Sequence, residues 1–229
     1  MVEASAFPDQ FDKEKRGPQS ADFAWYPDWS GETCVIVASG PSARDVPLEI
    51  AAGRGCRCIA INESWKLAPW ADMLYACDHV WYYKRRGQVA GFAGIKVSQD
   101  RVCADLMPDW DIKRVYSVRG VEQIMTGQPG YIGWGGNSGF QAVNLAVHFN
   151  PAKIILVGFD MTLDHGCHWH GRHAHGLSNP KPPYVNRWRR VTDNAYFAIQ
   201  REGIAGFNTS MKSKLVAWPK MSLEDALDA

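Results

Sequence analysis

Short runs of apolar, often β-branched residues recur along the chain, and each ends at a small or polar residue. The clearest are Thr33–Ala38, Cys56–Asn62, Met73–Asp78 and Lys153–Asp160. Apolar runs of this length bounded by turn residues predict buried strands. Because the runs are almost continuously apolar rather than alternating, they favour a parallel sheet that is covered on both faces.

Weaker runs and helical patterns complete the alternation. Further strands are predicted at Ile95–Ser98, Val115–Val118 and Ile204–Asn208. The helical patterns that lie between and after the strands are at Pro47–Gly53, His79–Phe92, Asn137–Asn150, Asn186–Glu202 and Ser222–Ala229. Strands alternating with helices predict an α/β fold, a Rossmann-like domain with a mostly parallel sheet and helices on both faces.

The chain divides into an arm and one domain. Residues 1–30 are polar and contain proline, so we expect an N-terminal arm that docks through Phe23, Trp25, Tyr26 and Trp29. Residues 31–229 form the predicted domain, since no composition shift marks a boundary within them. The proline-rich segment Asn179–Pro183 is predicted to be a loop inside this domain.

Composition excludes few classes of function. The formal net charge of +1 does not indicate a nucleic-acid partner. No stretch is apolar enough for a signal peptide or a transmembrane helix, and the six cysteines form no disulfide framework, so we expect a cytoplasmic protein. Ten tryptophans suit stacking surfaces or an interface, and a homo-oligomer is left open.

Polar or small residues follow each of the strong strands. In open α/β sheets, ligands bind beyond the carboxyl ends of the strands, so these residues are expected to converge. Glycine turns and helix N-termini expose N–H groups to phosphate, and asparagine or aspartate can bind a ribose or base. Turn formation and helix capping are the alternative roles. The predicted binding residues are Ser39, Gly40, Pro41, Ser42, Asn62, Asp78, Asn137, Ser138, Gly139 and Asp160.

A histidine-rich segment follows Asp160 directly. It holds five of the seven histidines: His165, His168, His170, His173 and His175. Histidine is a common metal ligand and acid–base group, and we expect at least one of these five to be functional. The spacing matches no zinc motif and the segment has no strand or helix pattern, so no metal ligand is assigned from the sequence. A solvated loop is the alternative.

Two basic runs are ambiguous. Arg187–Arg190, with Lys181 and Tyr184 nearby, could clamp a phosphate, or could be the solvated face of a helix. The run Lys84–Arg86 has the same two interpretations. Neither a P-loop nor a GxGxxG turn follows the first strand, so a standard dinucleotide-binding fold is not predicted.

Four motifs together resemble a known superfamily. They are VIVASGPSARDV, CIAIN, NSGFQAVNLAVHFNPAKIILVGFDM and GIAGFNTSMKSKLVAWPKMSLEDAL, in this order over about residues 33–228. The order and spacing are similar to bacterial α-2,3-sialyltransferases and motility-accessory-factor glycosyltransferases, which share their scaffold with archaeal 6-hydroxymethylpterin diphosphokinases. The compact chain resembles a phage or prophage member, which would act in the host cytoplasm.

The resemblance implies a glycosyltransferase that uses a nucleotide-sugar as co-substrate, no firm cofactor and an unknown acceptor. Ser39–Ser42 would approach the donor phosphate, Asn62 the nucleotide, and Ser138 and Gly139 the donor pocket. Asp160 would contact the nucleotide sugar. A histidine-rich lid, about residues 161–183, would supply the general base, which we expect to be His173 or His175.

Departures from the family keep two other functions open. The usual asparagine of the first turn is replaced here by Ser39, and the lid region offers few tyrosines. Asp78 better suits a Mg²⁺-dependent diphosphotransferase that acts with ATP, because a carboxylate can hold Mg²⁺ against a diphosphate. A non-catalytic nucleotide-binding module of a phage is the third possibility.

Overall fold

The computed structural model describes residues 23–103, 107–173 and 177–229. Nine strands lie within these ranges, and most begin and end close to the predicted runs. They are β1 (Thr33–Val37), β2 (Arg57–Ile61), β3 (Met73–Tyr75), β4 (Ile95–Ser98), β5 (Lys113–Arg114), β6 (Tyr116–Val118), β7 (Tyr131–Gly133), β8 (Lys153–Val157) and β9 (Ala205–Asn208).

Seven strands form one sheet in the order β5-β4-β3-β2-β1-β8-β9, and β6 pairs with β7 in a second, two-stranded sheet. Every strand pair among the described residues is parallel, which confirms the predicted α/β class. The predicted strand Val115–Val118 is confirmed as β6, one residue shorter, and it lies in the second sheet. The chain leaves the main sheet at Val115, which is fully buried, and only β6 continues, in the second sheet.

Five α-helices of the described ranges accompany the strands: α1 (Leu48–Gly53), α2 (His79–Val89), α3 (Ser138–His148), α4 (Pro182–Arg201) and α5 (Leu223–Asp228). Successive residues of β1 point to opposite faces of the sheet. Ile36 packs in one cluster with Phe140 of α3 and Val191 of α4. Val35 and Val37 pack in the other cluster, with residues of α1, α2 and α5. The main sheet is therefore covered by helices on both faces.

Helix α4 begins at Pro182, four residues before the predicted start at Asn186. The prediction that Asn179–Pro183 is a loop is therefore wrong for Pro182 and Pro183, which form the first turn. Proline fits this position because the first helical N–H groups have no partner within the helix and the proline φ is already helical. The last two residues of the lid thus belong to α4.

The aromatic residues of the arm dock as predicted. Phe23 and Trp29 are buried, and the Trp29 ring lies 4.7 Å from that of Phe149 at the end of α3. Trp25 and Tyr26 pack against the same cluster. Residues 1–22 of the arm lie outside the described residues. In the described ranges, no helix has both the length and the apolar character needed to span a membrane.

The order of the strands places a topological switch beside β1. From β1 the sheet grows in one direction through β2 to β5 and in the other through β8 and β9. In open parallel sheets the connections at such a switch leave to opposite faces, and a crevice opens beyond the strand ends. The turns after β1 and β8 therefore form the expected place for a ligand.

Candidate functional site

A cavity of about 700 Å³ lies at this switch. Its volume is in the range of about 300–1,000 Å³ that is typical of small-molecule sites. The residues predicted from the strand ends converge on it, as parallel strands require. Those that line it are Ser39, Gly40, Pro41, Asn62, Asp78, Asn137, Ser138, Gly139, Asp160 and His173. Ser42 lies just behind the wall, and His175 lies outside the described residues.

The turn after β1 is held by the turn after β8. The Gly40 N–H donates to the Gly158 carbonyl at 3.0 Å, and the Ser42 N–H donates to Asp160 Oδ2 at 3.1 Å. A Cβ on Gly40 would lie 2.1 Å from Asp160 Oδ2 and 2.3 Å from the Gly158 carbonyl oxygen. Asp160 is buried and fixes this turn, so it positions the wall of the cavity in addition to lining it.

Two polar residues follow β2 and β3. Asn62 has a φ of 51°, a left-handed conformation that asparagine tolerates better than most residues. Asp78 lies at the amino end of α2, and burial, followed by the neighbouring charge of Asp100, raises the pKa of its carboxyl. Asp78 presents its exposed carboxylate to the cavity, whereas Asp100 is paired with His79 and is not part of the cavity lining.

Asn137 was predicted either to bind a ligand or to cap a helix, and its contacts at the amino end of α3 show that it caps the helix. Its side-chain oxygen accepts a hydrogen bond from the Phe140 N–H at 2.8 Å, so Asn137 is a helix cap. Ser138 and Gly139 follow it at the cavity wall. The amino end of α3 therefore lies at the same cavity as the turn after β1, and the helix dipole adds positive potential there.

A polar network that joins α3 to the end of β3 was not predicted from the sequence. The Cys77 Sγ lies 2.7 Å from Gln141 Oε1 and 3.0 Å from Ser138 Oγ, and the Tyr75 hydroxyl donates to the same Gln141 oxygen at 2.8 Å. Burial raises the pKa of the Cys77 thiol to about 12, so it stays protonated and is no nucleophile at neutral pH. Cys77 and Gln141 line the cavity, although both sit in apolar runs that favour a core role.

The arginines of the basic run on α4 differ in whether they line the cavity. Arg187 lines the cavity, its guanidinium lying 4.4 Å from the centroid of the Trp134 ring and pairing with Glu122. Arg190 pairs with the same Glu122 at 2.8 Å, but is not part of the cavity lining.

The other basic residues of these runs have separate contacts. Arg189 donates to the Met161 carbonyl at 3.0 Å. Lys181 and Tyr184 also line the cavity, whereas Arg85 pairs with Glu63 elsewhere.

The described part of the lid packs against the strand ends through Trp169. Its N–H donates to the Ser39 carbonyl at 3.0 Å, and its indole Nε1 donates to Ser64 Oγ at 3.2 Å. Arg44 donates to the Trp169 carbonyl. Asn179 and His173 exchange two hydrogen bonds of 2.8 and 3.2 Å, which fix His173 to a later part of the lid.

Three of the five lid histidines form a cluster. The rings of His168, His170 and His173 have centroids 4.6–5.0 Å apart, whereas His165 is exposed. Burial and the neighbouring imidazoles lower the pKa of His168 and of His170 to about 4, and burial lowers that of His173. All three rings are therefore neutral at pH 7.

Comparison with protein-family models and with curated proteins finds no match to this chain. The functional conclusion therefore depends on the geometry and chemistry of the cavity.

Proposed function

We propose that this chain is a glycosyltransferase-like enzyme that binds a nucleotide-sugar in the cavity at the β1–β8 switch and transfers the sugar to an acceptor hydroxyl. The observation that carries the proposal is the convergence of separate segments on one cavity. These are the turns after β1, β2, β3 and β8, the amino end of α3 and one face of α4. The motif order shared with sialyltransferases and motility-accessory-factor enzymes supports the same function.

One side of the cavity suits the phosphates of the donor. The amino end of α3, with Ser138 and Gly139, faces the space that Lys181 and Arg187 also line. Backbone N–H groups at a helix start and fixed cations stabilise phosphate oxygens. The same groups would stabilise the negative charge that develops on the nucleotide as it departs.

The other side would hold the acceptor against the lid. In the proposed step the acceptor hydroxyl oxygen attacks the anomeric carbon, and the bond from that carbon to the donor phosphate oxygen breaks. Its electron pair leaves with the nucleotide, and the hydroxyl proton passes to a lid histidine. His173 is the candidate base because it lines the cavity and its lowered pKa keeps the ring ready to accept a proton. His175, the second candidate, lies outside the described residues.

A ligand screen tests the donor class. Thermal unfolding is followed with CMP, UDP, GDP, ADP and ATP, each with a magnesium-free buffer and with Mg²⁺. A ligand at about 100 times its Kd adds roughly 2.7 kcal/mol of stability, which is a measurable rise in Tm. We expect stabilisation by one sugar-nucleotide product without Mg²⁺. If no nucleotide raises Tm, the proposed function is wrong.

Asp78 supports a second candidate, a Mg²⁺-dependent diphosphotransferase acting with ATP. Asp78 lines the cavity at the amino end of α2, where its carboxylate would bind a divalent cation together with the phosphates of ATP. This function predicts a rise in Tm with ATP only when Mg²⁺ is present, and loss of that rise in Asp78→Asn. Nucleotide binding without any turnover would instead favour the non-catalytic module.

A further inference from the structure

We propose that His168, His170 and His173 bind a divalent transition-metal ion of the zinc type, with a fourth position that no other residue described by the structure fills. One ring nitrogen from each residue lies within 4.8 Å of those of the other two. This proposal does not depend on the proposed glycosyl transfer.

The buried ring nitrogens are the first reason. His168 Nε2, His170 Nε2 and His173 Nδ1 are buried, and none has a hydrogen-bond partner among the residues that the structure describes. A buried polar atom without a partner costs about 1–3 kcal/mol, so three in one cluster require an explanation. A shared cation would accept a lone pair from each ring and remove all three costs.

The frame around the cluster is the second reason. Trp169, between two of the histidines, is fixed to Ser39 and Ser64, and His173 is fixed to Asn179. The lid lacks regular secondary structure here, but its backbone is held on the ends of β1 and β2.

The donor set selects the class of metal. Three neutral imidazoles suit zinc, cobalt, nickel or copper, whereas Mg²⁺ and Ca²⁺ prefer oxygen ligands. Glu63 lies near His170 and His173, but it is paired with Arg85 and with Lys66, so it is no free fourth ligand. Three protein ligands with an open position is the arrangement of catalytic rather than structural zinc sites.

The rings must approach one another on binding. With metal–nitrogen bonds of about 2.0–2.1 Å, a tetrahedral site places its nitrogens roughly 3.3 Å apart. The distances between the ring nitrogens, which are at most 4.8 Å, must therefore shorten when the metal binds.

The cluster lies at the wall of the cavity, because His168 and His173 both line it. In a metal-loaded molecule His173 is a ligand and no longer a free base. An ion held by these three histidines would supply a Lewis acid and a bound water of lowered pKa at the cavity wall.

The test is metal binding itself. Full-length protein is dialysed against a zinc-selective chelator, then titrated with Zn²⁺ and with Co²⁺, whose visible absorption reports tetrahedral coordination. We expect one ion per chain. Gln or Ala at any one of His168, His170 and His173 should weaken binding by more than the roughly 10–100-fold typical of outer-shell changes. His165→Ala, in the exposed part of the same loop, should bind as tightly as the wild type.

Circular dichroism and Tm of each metal-free variant check that it is folded, and His168→Phe keeps the buried ring volume if the Ala variant unfolds. Weak binding that is equal in the wild type and in all variants would overturn the metal site. Nucleotide-induced stabilisation measured in the same chelator is the separate readout of the proposed function, so failure of one proposal leaves the other measurable.

Discussion

The contact between Gly40 and Asp160 shows how one missing side chain shapes the site. The Gly40 backbone lies against both the Asp160 carboxylate and the Gly158 carbonyl, so a Cβ at this position would clash with both. The turn that presents Ser39 and Pro41 to the cavity therefore depends on glycine at position 40 for space, not for a special backbone angle, since its φ is −61°.

Gly40→Ala should lower the free energy of unfolding by about 1–3 kcal/mol, because the added methyl forces the two turns apart. It should also weaken any ligand that stabilises the wild type. Urea unfolding and the nucleotide Tm screen measure the two effects.

Gly87→Ala is the matched control. Gly87 lies inside α2 with nothing within 4 Å of a Cβ, so alanine there should stabilise the protein by about 0.5–1 kcal/mol. Equal stability of Gly40→Ala and the wild type would mean that the turns after β1 and β8 are not in contact in solution.

At the scale of an element, α4 presents two arginines to one glutamate but only one of them to the cavity. Arg187 and Arg190 are one turn apart and share Glu122, so their local ion pairs are similar. They differ in that only Arg187 lines the cavity. Comparing variants of the two arginines therefore distinguishes binding of an anion in the cavity from a purely structural ion pair.

Arg187→Ala should weaken nucleotide binding by about ten- to a hundredfold, since a hydrogen bond to a charged group contributes about 1.5–3 kcal/mol. Arg190→Ala should leave affinity within about twofold. Isothermal titration at two salt concentrations measures both, and the wild type should lose affinity with salt more steeply than Arg187→Ala. An equal loss of nucleotide affinity in the two variants would contradict the conclusion that only Arg187 contacts the ligand.

The histidine cluster gives the lid a defined response to acid. In the unfolded chain His168 and His170 take up protons as pH falls through their ordinary value of 6.5, whereas in the folded protein they stay neutral until about pH 4. The unfolded state therefore binds more protons between these values, so stability falls as pH decreases from 6.5 towards 4.

Metal-free protein should show this fall in Tm, and the double variant His168→Gln, His170→Gln should show a shallower one. His148, whose pKa is also lowered, and the carboxylate of Asp100 lie outside the cluster and contribute to both proteins alike. The difference between the two Tm profiles isolates the cluster. Superimposable profiles would show that the rings are not buried together.

At the scale of the whole molecule, the sequence predicts the sheet and the place of the site well. Buried parallel strands are nearly continuous apolar runs, so β1, β2, β3 and β8 stand out, and their carboxyl ends must meet. The residues at those ends, such as Ser39, Asn62 and Asp160, could therefore be placed together from the sequence alone.

The sequence does not predict the features of the site that depend on contacts between distant residues. Trp169 is fixed by Ser39 and Ser64, more than a hundred positions away, and only this docking brings the three lid histidines together. The direction of Arg187 likewise depends on how α4 packs against α3. The start of α4 at Pro182 was missed because proline is common both in loops and in the first turn of a helix.

The position of β8 has a consequence for synthesis on the ribosome. Strand β1 lies in the middle of the sheet, and its second neighbour is β8, whose Lys153 pairs with Thr33. Strands β1 to β5 can assemble in order as they emerge, but β1 keeps one open edge until Lys153–Val157 has been translated. A nascent chain halted before that point exposes an apolar strand edge, which makes it a candidate for chaperone capture.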